Sequence, residues 1–167
     1  MSDPAQLAAV QDAFWLAGEH LMLHHTNPWE LDEALTAWGY GVGPCEAQDL
    51  IGLDKVLARQ RERPVPVLPR MVAEGRMGKI GGVGFYRYPG GGGAVIDPLI
   101  EDLIREEAWF AKITRAERGD EALVAAMNAA LAQARAQAVA SGLSEREADA
   151  LLVKAVHFPA GRSLTPA

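Results

Sequence analysis

Residues 3–38 read DPAQLAAVQDAFWLAGEHLMLHHTNPWELDEALTAW, and two kinds of signal inside this stretch decide the fold class. Asp3-Pro4 and Asn27-Pro28 each place a side-chain oxygen just before a proline. The oxygen accepts an N–H that a first helical turn leaves unpaired, and the proline, which has no N–H, presets the helical φ. Between them Leu7, Val10, Phe14, Ala17 and Leu21 recur at three- and four-residue intervals, and Leu31, Ala34, Leu35 and Trp38 continue the spacing beyond. That period predicts two amphipathic helices joined by a short turn.

The same signals recur downstream. Asp97-Pro98 marks another start, and Asn27 with Glu30, Thr114 with Glu117 and Ser144 with Glu147 have capping-box spacing. The pattern predicts helices at about 4–25, 28–38, 44–51, 53–62, 67–74, 98–111, 115–141 and 145–155, so the fold class is all-α. Gly84-Phe85-Tyr86-Arg87-Tyr88 reads as extended instead, and runs through Pro89 into four glycines. This predicts a flexible joint at 89–96 between a first unit, 1–88, and a second, 97–167.

The two units look like copies. Adding 117 to Leu7, Val10, Phe14, Ala17 and Leu21 gives Val124, Met127, Leu131, Ala134 and Ala138, all apolar. The same offset carries Asn27 to Ser144, Glu30 to Glu147, Asp32 to Asp149 and Leu35 to Leu152. An internal duplication of an antiparallel helix pair is expected, with the copies packed face to face about a pseudo-two-fold.

Composition narrows the function classes. Lys and Arg total 16 against 22 Asp and Glu, a net charge of −6 in 167 residues, which offers no electrostatic footprint for nucleic acid. No apolar run is long enough to cross a bilayer, and the Ser2-Asp3-Pro4 opening is unlike a basic leader, so a cytoplasmic location and no membrane partner are expected. One cysteine, Cys45, makes neither an intrachain disulfide nor a zinc cluster.

Several side chains allow two readings. His20 and His24, one turn apart, could ligate a metal, but they lack an H-E-x-x-H arrangement, and a solvated helix end is favoured. Cys45 opens a helix whose dipole could activate its thiol, yet no His lies nearby in sequence and a structural role is favoured. Trp15, Trp29, Trp38 and Trp109 are expected in helix packing, not on a stacking platform. The glycines at 39–43 and 75–84 either shape a ligand pocket or supply positive φ and helix stops, with the latter favoured. Lys79 either caps carbonyls at the glycine turn or faces a phosphate.

From Asp32 the chain reads D-x-A-L-x-x-W-G-Y-G-V-G-P-C-E-A-Q-D-L-I-G-L-D, and from Leu68 L-P-R-M-V-A-E-G-R-M-G-K-I-G-G-V-G-F-Y-R-Y. This resembles the C-terminal domain of the 3-hydroxyacyl-CoA dehydrogenases of fatty-acid β-oxidation. The resemblance rests on Gly43, Pro44, Glu46, Asp49, Gly52, Leu53, Asp54, Met71, Val72, Gly75, Arg76, Gly78, Lys79, Gly81, Gly84, Phe85, Tyr86 and Tyr88. The second half is similar, more loosely, to the degenerate second copy in multifunctional β-oxidation proteins, through Thr114, Glu117, Met127, Asn128, Asp149 and the ending Phe158-Pro159-Ala160-Gly161-Arg162.

The resemblance implies two packed copies of a helical 6-phosphogluconate-dehydrogenase-C-terminal-like domain, forming a monomeric pseudo-dimer or a weak homo-oligomer. It also implies that Val42, Gly43, Pro44 and Cys45 lie beside an acyl chain. Two departures stand out: the family's substrate-holding Asn has no counterpart within 1–26, and the glycine loop is about one residue short. A Rossmann unit needs strands, helices and a G-x-G-x-x-G turn, and none is legible. No catalytic residue and no cofactor are therefore expected on this chain, with NAD reached only through a separate Rossmann-type dehydrogenase subunit. The expected role is the substrate-side and assembly part of such an enzyme, not catalytic alone. The alternatives are a helical acyl-CoA-binding or partner-binding module and a purely structural remnant.

Overall fold

The computed structural model describes residues 3–60 and 63–164. Its elements are α1 (Pro4–His24), α2 (Pro28–Trp38), α3 (Pro44–Ile51), α4 (Leu53–Arg59), α5 (Val67–Ala73), α6 (Pro98–Phe110), α7 (Asp120–Ala140) and α8 (Glu145–Val156). Among the described residues there is no strand, only isolated antiparallel bridges. The all-α expectation holds, and the expected positions 61–62 of the fourth helix lie outside the described residues.

α1 is the axis of the molecule. It packs on α2, α3, α5, α6, α7 and α8, with α7 as its main neighbour. Burial therefore extends almost around it and takes in Val10, Phe14, Trp15, Leu21, Met22 and Leu23. Gly18 is where the neighbours come closest: a Cβ there would sit 3.3 Å from both Leu31 Cδ2 and Met127 Cε. The second apolar stripe, Val124, Met127, Leu131, Ala134 and Ala138, is buried against this axis.

The proline-preceded starts are built as expected. Asp3 accepts from Ala5 N at 3.0 Å, Asn27 from Glu30 N at 2.9 Å and Asp97 from Leu99 N at 3.1 Å. Ser144 and Glu147 close a complete capping box at 3.0 and 3.1 Å. Ser144→Ala is expected to cost about 1 kcal/mol and to lower the melting temperature by about 2–4 °C. An unchanged thermal melt would show that this helix end is held by its packing alone.

Three expectations need correction. The Thr114–Glu117 box does not form, and α7 begins only at Asp120. The reason lies in the preceding segment: the Arg115 guanidinium donates to Met22 O, Leu23 O and Thr26 O at 3.2 Å or less, and Ala116 N donates to His24 O at 3.1 Å. Carbonyls that the end of α1 leaves unpaired are thus satisfied by an extended strap, which cannot also be helical. The glycine-rich stretch is not a free hinge, because Arg87 and Val95 exchange both backbone hydrogen bonds, at 2.9 and 2.8 Å, closing 88–94 as a turn. Trp109 is 76% exposed instead of packed, whereas Trp15 is in the core and Trp29 and Trp38 are partly buried.

Candidate functional site

The motif residues of the first half converge on two buried carboxylates. Asp32 projects from α2 onto the first turn of α3, accepting from Cys45 N at 2.9 Å and Glu46 N at 3.0 Å. Asp49, on α3, repeats the arrangement one step along, accepting from Phe85 N at 2.9 Å and Tyr86 N at 3.0 Å. The tail answers with its hydroxyls: Tyr86 OH donates to Asp32 at 2.8 Å and Tyr88 OH to Asp49 at 2.7 Å. Each carboxylate therefore takes three donors, which suits an acceptor-only group withdrawn from water.

Close approach makes the glycines obligatory at three points. A Cβ on Gly43 would overlap the Asp32 carboxyl, with Oδ1 at 2.6 Å; one on Gly78 would lie 2.5 Å from Asp49 O; one on Gly84 would overlap the Asp49 carboxyl. Arg76 fastens the tail from the other side, donating to Gly84 O at 3.0 Å and to Asp97 at 2.6 Å. Burial pushes the Asp32 carboxyl up to about 7 and that of Asp49 to about 6, against the pull of their hydrogen bonds. The same burial, with the carboxylates alongside, raises the Tyr86 phenol far above its ordinary range.

The four residues expected beside an acyl chain have unequal access. Gly43, Pro44 and Cys45 are buried and only Val42 is partly open. Cys45 is fully buried with Sγ 3.6 Å from Met22 Sδ, and burial, then the charges of Asp32 and Asp49, raise its thiol well above the usual value. The dipole-activated reading of this thiol is thus outweighed. A thiol reagent at pH 8 is expected to label Cys45 at least about a thousandfold more slowly in the native protein than in denaturant, at the rate of opening of the fold. Labelling within tenfold of the denatured rate would contradict this burial. The loop itself is anchored by Tyr40, which stacks on Phe14 at 5.4 Å and donates to Asn128 Oδ1 at 2.6 Å, while Gly41 N donates to His157 O at 2.9 Å.

The starts of α3 and α6 offer a dinucleotide no free N–H groups. Its pyrophosphate needs free N–H groups at a helix start after a strand. At α3 those N–H groups already bind the Asp32 carboxylate, and at α6 the cap is Asp97, itself paired with Arg76. His20 is exposed and His24 half-buried, and among the described residues no group of three His, Cys, Asp or Glu side chains is placed to hold a metal. Lys79 neither caps a carbonyl nor meets an acid there; its Nζ sits 5.9 Å over the Tyr88 ring.

The local sequence did not reveal the paired roles of Asp32 and Asp49, because their partners lie 13 to 54 residues away. The offset that pairs Asp32 with Asp149 does not carry the role across. The Asp149 side chain is 65% exposed and accepts from Arg135 Nε at 2.7 Å.

The family model described as 3-hydroxyacyl-CoA dehydrogenase, C-terminal domain, matches residues 7–88. A peroxisomal fatty acid beta-oxidation multifunctional protein of Oryza sativa subsp. japonica is 30% identical over 105 residues, which is 57% of this chain and 14% of that protein. The crystal structure of the dehydrogenase part of multifunctional enzyme 1 from C. elegans superposes with a TM-score of 0.72 at 20% identity, over 90% of this chain and 36% of that one. The chain thus spans well under half the length of either relative. The nematode likeness speaks for the fold, which is that of the helical part of such a dehydrogenase.

Proposed function

We propose, from the premise that the segment 7–88 belongs to the 3-hydroxyacyl-CoA dehydrogenase C-terminal domain family, that this protein is the substrate-side and assembly part of such an enzyme. In that role it completes the acyl-CoA site of a Rossmann-type NAD-binding unit lying outside these residues. The observation that carries the reading is the pair of clamps on Asp32 and Asp49. They hold the glycine loop and the Gly-Phe-Tyr-x-Tyr tail in one rigid body, the kind of preorganised surface against which a second unit can position a substrate. Hydride transfer would then be the work of the NAD-binding unit, with this chain not catalytic alone. Val42, at the open end of the loop, is the member of the expected acyl-chain set best placed to touch a substrate.

The 117-residue offset belongs to the same proposal, with the second unit occupying the place of a dimer partner. Supporting it are the equal 21-residue lengths of α1 and α7 and their mutual packing.

The test is complementation. The purified chain is mixed with the isolated NAD-binding half of a 3-hydroxyacyl-CoA dehydrogenase, and acetoacetyl-CoA-dependent oxidation of NADH is followed. Activity in the mixture, with neither component active alone, is the expected result. Robust oxidation by this chain by itself, or silence from a mixture that forms a stable complex, would overturn the reading.

A further inference from the structure

The clamps on Asp32 and Asp49 make no use of the Phe158-Pro159-Ala160-Gly161-Arg162 segment, although it lies against the glycine loop residue by residue. α8 stops at Val156, and His157 turns the chain in the left-handed conformation, φ 61, which residues other than glycine rarely adopt. Beyond that turn Gly41 N donates to His157 O at 2.9 Å. The Phe158 ring lies 5.6 Å from the Tyr40 ring, edge to face, and 5.8 Å from the Trp38 ring. Pro159 covers Gly39, where an added Cβ would come within 3.3 Å of its Cγ. Arg162 closes the segment. Its Cζ sits 4.2 Å over the Trp38 ring and its guanidinium donates to Trp38 O at 2.8 Å, across 124 residues of sequence. A turn bond from Arg162 N to Pro159 O, at 3.2 Å, keeps the segment compact.

Trp38, Gly39, Tyr40 and Gly41 are thus each met from the second half of the chain. On the far side of Val42 the loop is fastened again, where Cys45 N and Glu46 N donate to Asp32. Val42 is half-buried between these two fasteners. The core alone holds little of the first one, because Gly39 and Gly41 are exposed and have no side chain to bury, and only Tyr40 sinks a ring inward. Exposed glycine backbone is the part of a fold that opens most readily unless something ties it down.

We infer that residues 157–162 are a clasp that positions the glycine loop, with His157 and Arg162 as the positioning residues through which the second half of the chain sets how Val42 meets a ligand. This rests on the proposed reading of that loop as substrate-facing. The gain is entropic. Ordering a single residue on binding costs a factor of about 5–30 in the equilibrium constant, and a clasped loop is ordered before the ligand arrives. Releasing the clasp therefore weakens substrate binding and leaves the reacting groups untouched.

Arg162 is exposed, so Arg162→Ala opens no hole in the core. Amide exchange of the full chain, followed by NMR at pH 7, is the first measurement. Gly41 is expected to exchange at least about fivefold faster in Arg162→Ala, while Cys45 and Glu46 stay within about twofold of their original rates. Arg162→Lys keeps a cation over Trp38 and a donor for its carbonyl, and is expected to restore the Gly41 rate. The second measurement is steady-state kinetics in the mixture with the NAD-binding half. There Arg162→Ala is expected to raise the KM for acetoacetyl-CoA at least about fivefold with kcat within about twofold. A merely structural role would instead lower the amount of active enzyme, and so kcat, at constant KM. Should Arg162→Ala unfold at lower urea than the parent, Pro159→Ala, which uncovers Gly39, takes its place with the same expected results.

An unchanged Gly41 rate, Cys45 and Glu46 accelerated as much as Gly41, or no rescue by lysine would overturn the clasp. A faster Gly41 amide with an unchanged KM in a working mixture would overturn its positioning role and leave the proposed function standing. Silence from the mixture with the unsubstituted chain would defeat the proposed function, and the exchange rates would still decide whether the clasp holds the loop.

Discussion

Asp49→Ala is expected to remove at least about 3 kcal/mol of folding stability, because it strands three buried donors at once, each worth about 1–3 kcal/mol when left unpaired. Those donors are Phe85 N, Tyr86 N and Tyr88 OH, and none has water to turn to in the buried tail. Total stability for a domain of this size is about 5–15 kcal/mol, so the variant should sit close to unfolding. Urea denaturation at pH 8, above the value of about 6 for this carboxyl, is the measurement. Tyr88→Phe withdraws one donor and leaves the other two paired, and about 1 kcal/mol is expected for it. If both substitutions cost the same, Asp49 is not the fastener of the tail, and the rigidity attributed to the Gly-Phe-Tyr-x-Tyr segment must come from its ring packing.

Arg63→Met should be comparably severe, and its severity should depend on pH. Glu19 sits on α1 with 3% of its surface exposed, paired to Arg63 and accepting from Leu68 N at 2.7 Å. Removing the arginine leaves a buried carboxylate with only that N–H, a change that typically costs about 3–5 kcal/mol. Burial already raises the Glu19 carboxyl above its ordinary 4.5, and Arg63 is the leading influence pulling it back. Without Arg63 it rises further. An acid whose folded pKa exceeds its unfolded one takes up a proton more readily in the native state. The penalty is therefore full at pH 8 and shrinks as pH falls toward the unfolded value. Denaturation of both proteins at pH 5 and pH 8 reads this directly. An equal loss at the two pH values would mean that Arg63 matters through its packing and not its charge.

What the sequence conveyed and what it withheld divide along the range of the interactions. The starts of α1, α2, α6 and α8 were legible because a cap and the N–H that donates to it lie within three residues. The start of α7 was misread because Thr114 and Glu117 satisfy a local rule while Arg115 obeys a distant one, reaching back 89 to 93 residues to the end of α1. The glycine-rich stretch misled for a similar reason: its composition describes the turn, but its closure depends on the pairing of Arg87 with Val95 on either side. Within the candidate site, Asp49 was visible as a motif position and Asp32 only as a repeat position. Neither could be seen as a clamp until α3 was folded between them. Residue type showed that Gly43 and Gly84 were constrained, whereas the constraint itself, a carboxylate pressed against each, is tertiary. Trp109 had the composition of a packing residue, and nothing local says that the face of α6 carrying it is left bare.

The central position of α1 has a consequence for how the protein is made. Its main neighbour, α7, starts 96 residues after α1 ends. A nascent chain that has released residues 7–88 from the ribosome can pack α2, α3 and α5 on its first helix but leaves bare the flank that α6, α7 and α8 later cover. At about 5–20 residues per second, translation as far as residue 156 takes roughly 3–14 s more. During that interval the emerging polypeptide is a natural client for a chaperone.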